Sequence, residues 1–514
     1  MDHSNEITAQ SAPNTNVNTP TMNPLAEKHS LDSDATRSMT NTSFADEKAM
    51  NNGNHYKNNG DVREPTIPEE DEFAQDVFTA HADGNDDHVD FRTMGWVQAG
   101  FVCLAEAIAL GLLSFPSIFQ RLGLVGGLIA TILLACLAYI TAWIYIDFKL
   151  RYMGCMNVAD AGTIMFGRIG GIIFGVGIMV KSIGLAASHA LAGEIALSNI
   201  SDNAVCKIVF TVVICIVSVL LSLQRHFGKL TPMSIISVTC ITVASFITII
   251  GTGVQSPSVL VKNNVPIEWK VINYDATLSD VIGAMTNICF TFGTNMAVLT
   301  FCSEMKAPKD FRKSFVIVQG LQLFLYSLVG SLVYVFGGQY TTSPALTMTT
   351  RPLAITAYSF ALVTIIISGV VAVNIGAKYF YVTQLRGTRL LTSGGWKAQF
   401  IWVGIVCGMW ILGFIFAELI PFFNQLLTII SSLVSTWSAY GVPGIIWFFM
   451  RKPQVKADGW RQAYFGSLLS TFFFFCSAIS IVLSVAFTPL GIYSAVQGII
   501  DGYSKGTYKH PFSC

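Results

Sequence analysis

The sequence predicts an all-α polytopic membrane protein of about eleven transmembrane helices. Three observations carry that expectation. Of the 514 residues, 52% are hydrophobic and only 12% are charged, about half the charged fraction of an ordinary soluble domain. From residue 95 onward the apolar residues gather into runs of about twenty or more, the length that spans a bilayer as a helix. The segments between those runs alternate in their content of Lys and Arg, as cytoplasmic and external loops do.

Residues 1–94 come first and are of another kind. They hold most of the acidic residues, including Glu69, Glu70, Asp71, Glu72, Asp86 and Asp87, and are rich in Asn, Ser and Thr. Such a stretch buries too little apolar surface to offset chain entropy, which predicts a disordered, acidic, cytoplasmic tail. Its start is polar, so no cleavable signal peptide is expected. Residues 95–490 are expected to form the transmembrane domain, with spans at roughly 95–118, 124–148, 169–198, 206–223, 231–253, 280–302, 314–336, 354–377, 398–417, 421–449 and 465–490. The ninth and tenth are parted only by Glu418-Leu419-Ile420-Pro421. Residues 491–514 are expected to be a short extracytoplasmic tail.

With the N-terminus inside, the loops assigned to the cytoplasm carry seventeen Lys and Arg, among them Arg225, Lys306, Arg312, Lys378, Arg389 and Arg451. The outer segments carry seven, among them Arg121, Lys262, Lys270 and Lys505. That asymmetry predicts a cytoplasmic N-terminus and, with an odd number of spans, an external C-terminus. The eleven cysteines stand singly, without CxxC spacing, and most read as small apolar packing residues. No metal-ligand cluster, nucleotide-binding glycine loop or nucleophile–base pair is evident in the polar parts, which argues against an enzyme, a cofactor or a nucleic-acid partner. No charged ring or filter loop suggests a channel. The sequon Asn199-Ile200-Ser201 falls on an expected outer loop too close to the membrane for modification.

A charge at the centre of a span costs about 3 kcal/mol on insertion scales, so each is a functional candidate. Glu106 in the first span and Lys181 in the third both lie about eleven residues from the cytoplasmic end, roughly 16 Å deep at 1.5 Å per residue. Their equal depth and opposite sign allow an ion pair. Two roles for Glu106 follow: half of a pair holding two helices in register, or a carboxyl that loads and releases a proton. His189, farther along the third span, reads as a packing histidine or a second proton carrier.

The first span also contains Gly111 with Ser114 and Pro116 beyond it, a cluster that weakens a helix. The sixth reads Phe290-Thr291-Phe292-Gly293-Thr294-Asn295-Met296, again a Gly and polar interruption at mid-depth. Freed backbone groups are tolerated there only where a cavity or ligand satisfies them. Interruptions in spans five apart point to a secondary transporter built from inverted repeats. Free N–H groups suit an anion and free carbonyls a cation, so a zwitterion fits both. The expected substrate site is the backbone of Leu110, Gly111, Leu112 and Leu113 for a carboxylate and the carbonyls from Phe290 to Gly293 for an ammonium. Thr294 and Asn295 stand near the pocket, and Phe290 and Phe292 offer apolar surface.

The stretch "LGLLSFP" resembles the "GxGxLxxP" pattern of the amino acid/auxin permease family, and "FTFGTNMAVLTFCSEMKAPKDF" resembles that family's sixth helix and basic loop. "AEAIALGLLSFP", "ASHALAGE" and "NIGAKY" are most similar to fungal neutral amino-acid permeases. The resemblance covers roughly residues 93–490 and implies eleven helices, a leucine-transporter-like five-plus-five inverted repeat plus one, and uptake of neutral amino acids, usually coupled to protons, without a cofactor. The chain departs from the motif in having Ala109 at the first glycine. The resulting expectation is a proton-coupled importer of neutral amino acids in the plasma membrane, with Glu106, Lys181 and His189 as proton-coupling candidates. The alternatives are a vacuolar or sodium-coupled carrier, with Ser368 as a potential ion ligand, and a nutrient receptor signalling through regulatory partners of residues 1–94.

Overall fold

The computed structural model describes residues 92–255, 265–386, 388, 390–391, 393–420 and 422–504. The expected disordered tail falls outside the described residues up to position 91, as do Lys262, Arg389, Pro421 and residues 505–514. Each of the eleven apolar windows lies on helix. In chain order these are α1 (Trp96–Leu122), α2 (Leu124–Arg151), α3 (Val158–Ser201), α4 (Lys207–Leu221) and α5 (Phe227–Val254). The sixth span is α6 (Leu278–Thr291), a 3-10 turn (Gly293–Ala297) and α7 (Val298–Ser303). Then come α8 (Phe311–Gly337), α9 (Arg351–Leu385) and α10 (Trp396–Leu419). The tenth span joins α11 (Phe423–Ile430) to α12 (Val442–Phe465) through π-helical Ser431–Ser435 and Trp437–Gly441, and α13 (Leu468–Ser504) ends the chain. Among the described residues, ten spans are long and apolar enough to cross a membrane; α4 is apolar but only 15 residues long.

Burial sorts the spans by position. The most apolar stretches of α1 and of the sixth span are each 89% buried, whereas that of α13 is 22%. The small residues Ala105, Ala107, Ala109 and Gly111 let α1 run closely among α5, α6, α8 and α9, the close approach by which membrane helices associate. α13 instead shows Phe475, Ile479, Val482 and Val485 outward.

Two glycines set the turns. Gly123 has φ +81°, and a Cβ there would stand 2.7 Å from the backbone of Ile272 and Asn273. Only glycine admits both the conformation and the approach, so α1 gives way at once to α2. Gly167 has φ +67° and divides α3 into a short N-terminal piece and the long membrane-crossing part.

Several expectations about the ends of spans change. Lys378, counted from the sequence among loop cations, lies within α9 and is 5% exposed. It forms an ion pair with Glu304, which is 0% exposed. The second Glu304 oxygen accepts the N–H of Phe227 at 3.0 Å, capping α5, and the Lys378 ammonium sits 4.8 Å from the Phe227 ring centroid. The backbone joins in: Met94 N–H donates to Glu304 C=O at 3.1 Å and Lys306 N–H to Met94 C=O at 3.0 Å. Glu304, through its carboxylate and its backbone carbonyl together, thus ties the chain before α1 to α5, α7 and α9. The basic stretch Arg451–Arg461, expected as a loop, is helical within α12 up to a kink at Gly459, φ +80°, and helical again beyond it. The last helix runs to Ser504, beyond the expected end at 490. The Asn199 sequon lies in the final turn of α3, where the Asn199 amide donates to Ile195 C=O at 2.7 Å.

Breaking a buried pair leaves a charge without compensation, which costs about 3–5 kcal/mol. Lys378→Met is therefore expected to lower the thermal unfolding temperature of the detergent-purified protein markedly, and adding Glu304→Gln is expected to recover part of the loss. Unchanged melting of the single variant would contradict this role.

Candidate functional site

The sixth span breaks where the sequence suggests. α6 ends at Thr291 and Phe292 caps it, donating to Ile288 C=O at 3.1 Å. The following five residues form a 3-10 turn, whose hydrogen bonds are poorer than those of an α-helix. The carbonyls at this break find partners from other helices. The Gln322 amide of α8 donates to Thr291 C=O at 2.6 Å, and the Lys181 ammonium of α3 donates to Gly293 C=O at 2.6 Å.

α1 does not break. It is helical from Trp96 to Leu122, so in this conformation the N–H groups of Leu110, Gly111, Leu112 and Leu113 are part of a continuous helix. Gly111 faces the sixth span instead: a Cβ there would stand 2.8 Å from the Tyr326 hydroxyl and 3.0 Å from Thr291 Cγ2. Hydroxyls on either side of Pro116 bond to the α1 backbone, with Ser114 donating to Gly111 C=O at 3.1 Å and Ser117 to Ser114 C=O at 2.7 Å. Two α1 carbonyls accept from neighbouring helices as well: Ala107 from the Tyr326 hydroxyl at 2.7 Å, and Ala105 from Ser368 of α9. Ser368, considered from the sequence as a sodium ligand, thus spends its hydroxyl on an α1 carbonyl.

These elements enclose one cavity. α1 lines it with Glu106, Ala107, Leu110 and Gly111, which recur at helical spacing on one stripe. α3 contributes Lys181, Leu185 and His189, four residues apart on one face. The sixth span adds Phe290, Thr291, Gly293 and Thr294. The volume open to a water-sized centre is about 20 Å³, room for about one water. The cavity is therefore too small to hold an amino acid in this conformation.

Of the sequence-derived candidates, Glu106, Leu110, Gly111, Lys181, His189, Phe290, Gly293 and Thr294 come together here. Four do not line the cavity. Leu112 and Leu113 are buried in helix contacts of α1. Phe292 packs edge-on against Tyr326, with ring centroids 5.8 Å apart. Asn295 points away: its amide donates to Ala138 C=O at 2.9 Å, to the Thr141 hydroxyl at 3.0 Å and to Ala439 C=O at 3.1 Å. It ties the break to α2 and to the π-helical part of the tenth span, an assembly that Thr141 and Tyr145 extend through Ala439 C=O and Ser438 C=O.

The expected Glu106–Lys181 ion pair is also replaced. The two charges face the same cavity and feel each other electrostatically, but the ammonium is drawn to the Gly293 carbonyl. Thr294 lines the cavity beside the Glu106 carboxylate, whose Oε2 is buried without a partner. His189 is 2% exposed; its Nδ1 lies 2.8 Å from Leu185 C=O, which places the proton on Nδ1 in the neutral ring. Its Nε2 is then an acceptor with no partner.

Gln322 and Tyr326 escape the sequence reading. Their signal is present in "VQGLQLFLY", where Gln319, Gln322 and Tyr326 form a polar stripe at helical spacing inside an apolar span. All three bond to backbone carbonyls of other helices, Gln319 to Ala135 C=O at 3.1 Å.

Thr294 and Asn295 are neighbours in sequence with opposite orientations, and substitution separates their roles. Asn295→Ala removes the buried amide that joins the break to α2 and the tenth span, a loss of hydrogen bonding costing about 1–3 kcal/mol, and is expected to lower the melting temperature. Thr294→Val, at the Glu106 carboxylate, is expected to alter ligand affinity while melting stays near that of the parent. Melting assays and ligand titration of the two purified variants check this, and equal effects on both readouts would contradict the assignment.

The model of the family described as transmembrane amino acid transporter protein matches residues 92–490. An "N amino acid transport system protein" of Neurospora crassa is 30% identical over 445 residues, covering 85% of this chain and 92% of that protein. A "transmembrane transporter" of Gibberella moniliformis is 26% identical over 443 residues, covering 86% and 90%. Among solved structures, MhsT in complex with L-phenylalanine is similar at a TM-score of 0.54 and 12% identity, over 77% of this chain and 99% of that one. Mhp1, a nucleobase-cation-symport-1 family transporter in a closed conformation, is similar at 0.50 and 14%, over 80% and 93%. The shared architecture is the leucine-transporter-like one that the sequence leads to expect.

Proposed function

The chain belongs to the transmembrane amino acid transporter family, and on that premise we propose that it imports neutral amino acids by alternating access coupled to proton entry. It is an amino-acid transporter and not an enzyme; the substrate class, the coupling ion and the membrane are this proposal's own. The observation that carries it is the cavity at the sixth-span break. There an acid, an ammonium and an imidazole share one small space with the backbone of an interrupted helix.

In this reading the substrate ammonium binds the carbonyls between Phe290 and Gly293. Its carboxylate binds the N–H groups of Leu110–Leu113 once α1 loosens around Gly111. Two features favour loosening there. Pro116 gives no N–H to Leu112 C=O, and the Ala105 and Ala107 carbonyls are already shared with Ser368 and Tyr326. Leu110, Leu185 and Phe290 supply apolar surface for an uncharged side chain. Names among the relatives, with the phenylalanine bound by MhsT, support an amino acid as cargo.

Glu106 is the leading proton carrier. Its orphaned oxygen is satisfied by a proton or by a donor that the substrate brings, so one group can answer to both. His189, with a free Nε2 in the same cavity, is the second candidate. The plasma membrane with a cytoplasmic N-terminus is the proposed setting. The loop basicity supports that orientation, as does the disulfide-bonded state of Cys206 at the start of α4 on the expected outer side, because disulfides persist in oxidising compartments.

Uptake of labelled neutral amino acids into proteoliposomes tests the proposal. Accumulation is expected under an inward proton gradient and not under a sodium gradient alone. Glu106→Gln is expected to flatten the pH dependence of accumulation. Sodium-driven accumulation would overturn the coupling ion, and a normal pH dependence in the Gln variant would remove Glu106 from the role.

A further inference from the structure

Lys181 occupies a carbonyl that the proposed site assigns to the substrate. Its Nζ donates to Gly293 C=O at 2.6 Å, and the residue is 4% exposed. The nearest opposite charge on the cavity, Glu106, compensates it across the space without ion-pair contact. An ammonium that served only to neutralise that carboxylate would lie against it. Here it lies on a backbone oxygen instead, as the ammonium of a bound amino acid would.

We propose that Lys181 is an internal stand-in for the substrate's ammonium: it holds the Gly293 carbonyl while the carrier is empty and is displaced when an amino acid binds. This rests on the reading that a neutral amino acid binds at the sixth-span break. The cavity volume points the same way. At about 20 Å³ the space takes about one water and no amino acid, so a lining group must withdraw for a substrate to enter. Lys181 is the cavity-lining side chain with a long flexible stem. Its withdrawal vacates volume and hydrogen-bond acceptor together.

The consequence is kinetic. A closed carrier needs a donor on Gly293 C=O, because a buried carbonyl left bare disfavours that state by about tenfold or more. The loaded carrier has the substrate's ammonium as that donor, and the empty carrier has Lys181. Lys181 is therefore a positioning residue for the return of the empty carrier. Net uptake requires that return. Exchange of external for internal amino acid does not.

The experiment compares the two modes in proteoliposomes: labelled uptake into substrate-free vesicles, and labelled uptake into vesicles preloaded with the same unlabelled amino acid. For Lys181→Met, net uptake is expected to fall about tenfold more than exchange, and the detergent-solubilised variant is expected to bind the amino acid at least as tightly as the parent. Lys181→Gln keeps an N–H donor for the carbonyl and is expected to restore a substantial part of net uptake. Net uptake and exchange falling in step in both variants would overturn the proposal, as would unchanged net uptake in Lys181→Met. Parent protein that neither takes up nor exchanges neutral amino acids would overturn the underlying substrate reading instead, whatever the variants do.

Discussion

The sixth span is interrupted inside the most buried part of the molecule, and each backbone group that the interruption frees must find a partner away from water. That constraint organises the surrounding helices. α8 answers it with Gln322 on Thr291 C=O, α3 with Lys181 on Gly293 C=O, and the turn's own Asn295 reaches out to α2 and the tenth span. Gly111 lets α1 pass within contact distance of Thr291, and Tyr326 closes the remaining gap while bonding to the α1 backbone. The charges stand in this framework for the same reason. A lysine in an apolar interior is tolerated where it meets a backbone acceptor and a compensating acid.

The partners of the break are of two kinds. Asn295, Thr141 and Tyr145 form a set of short hydrogen bonds among groups that carry no charge, joining the break to α2 and the tenth span. Lys181, Glu106, Thr294 and His189 form a looser set around a small cavity, with Glu106 Oε2 and His189 Nε2 unpartnered. The first set fixes the shape of the turn. The second can change partners, as a binding step requires. The Glu304–Lys378 pair resembles the first set in being fully buried, and it closes the same bundle nearer the expected cytoplasmic side.

Much of the fold was legible in the sequence because span length and loop charge are imposed by the bilayer and read out one segment at a time. The interruption at Gly293 was legible for the same reason: a glycine and two polar residues in an apolar run are a local signal. The opening of α1 at Gly111 was not, because glycine in a membrane helix marks either a break or a close contact, and only the positions of Tyr326 and Thr291 decide for contact in this conformation. The direction in which Asn295 points depends on Ala138 and Ala439, more than 140 residues away on either side. Lys378 looked like a loop cation because its partner Glu304 lies on another span. The equal depth of Glu106 and Lys181 suggested an ion pair; both line one cavity, but depth says nothing of which acceptor an ammonium will choose.

The central claim is that the break in the sixth span is an ammonium site, held by Lys181 when empty and by an amino acid when loaded. Structure determination of the purified protein with a neutral amino acid bound tests it most directly. The account predicts the ligand's ammonium within hydrogen-bond distance of Gly293 C=O and the Lys181 ammonium withdrawn from that oxygen. A ligand seated in the cavity with Lys181 still on Gly293 C=O, or a ligand bound away from the break altogether, would contradict it.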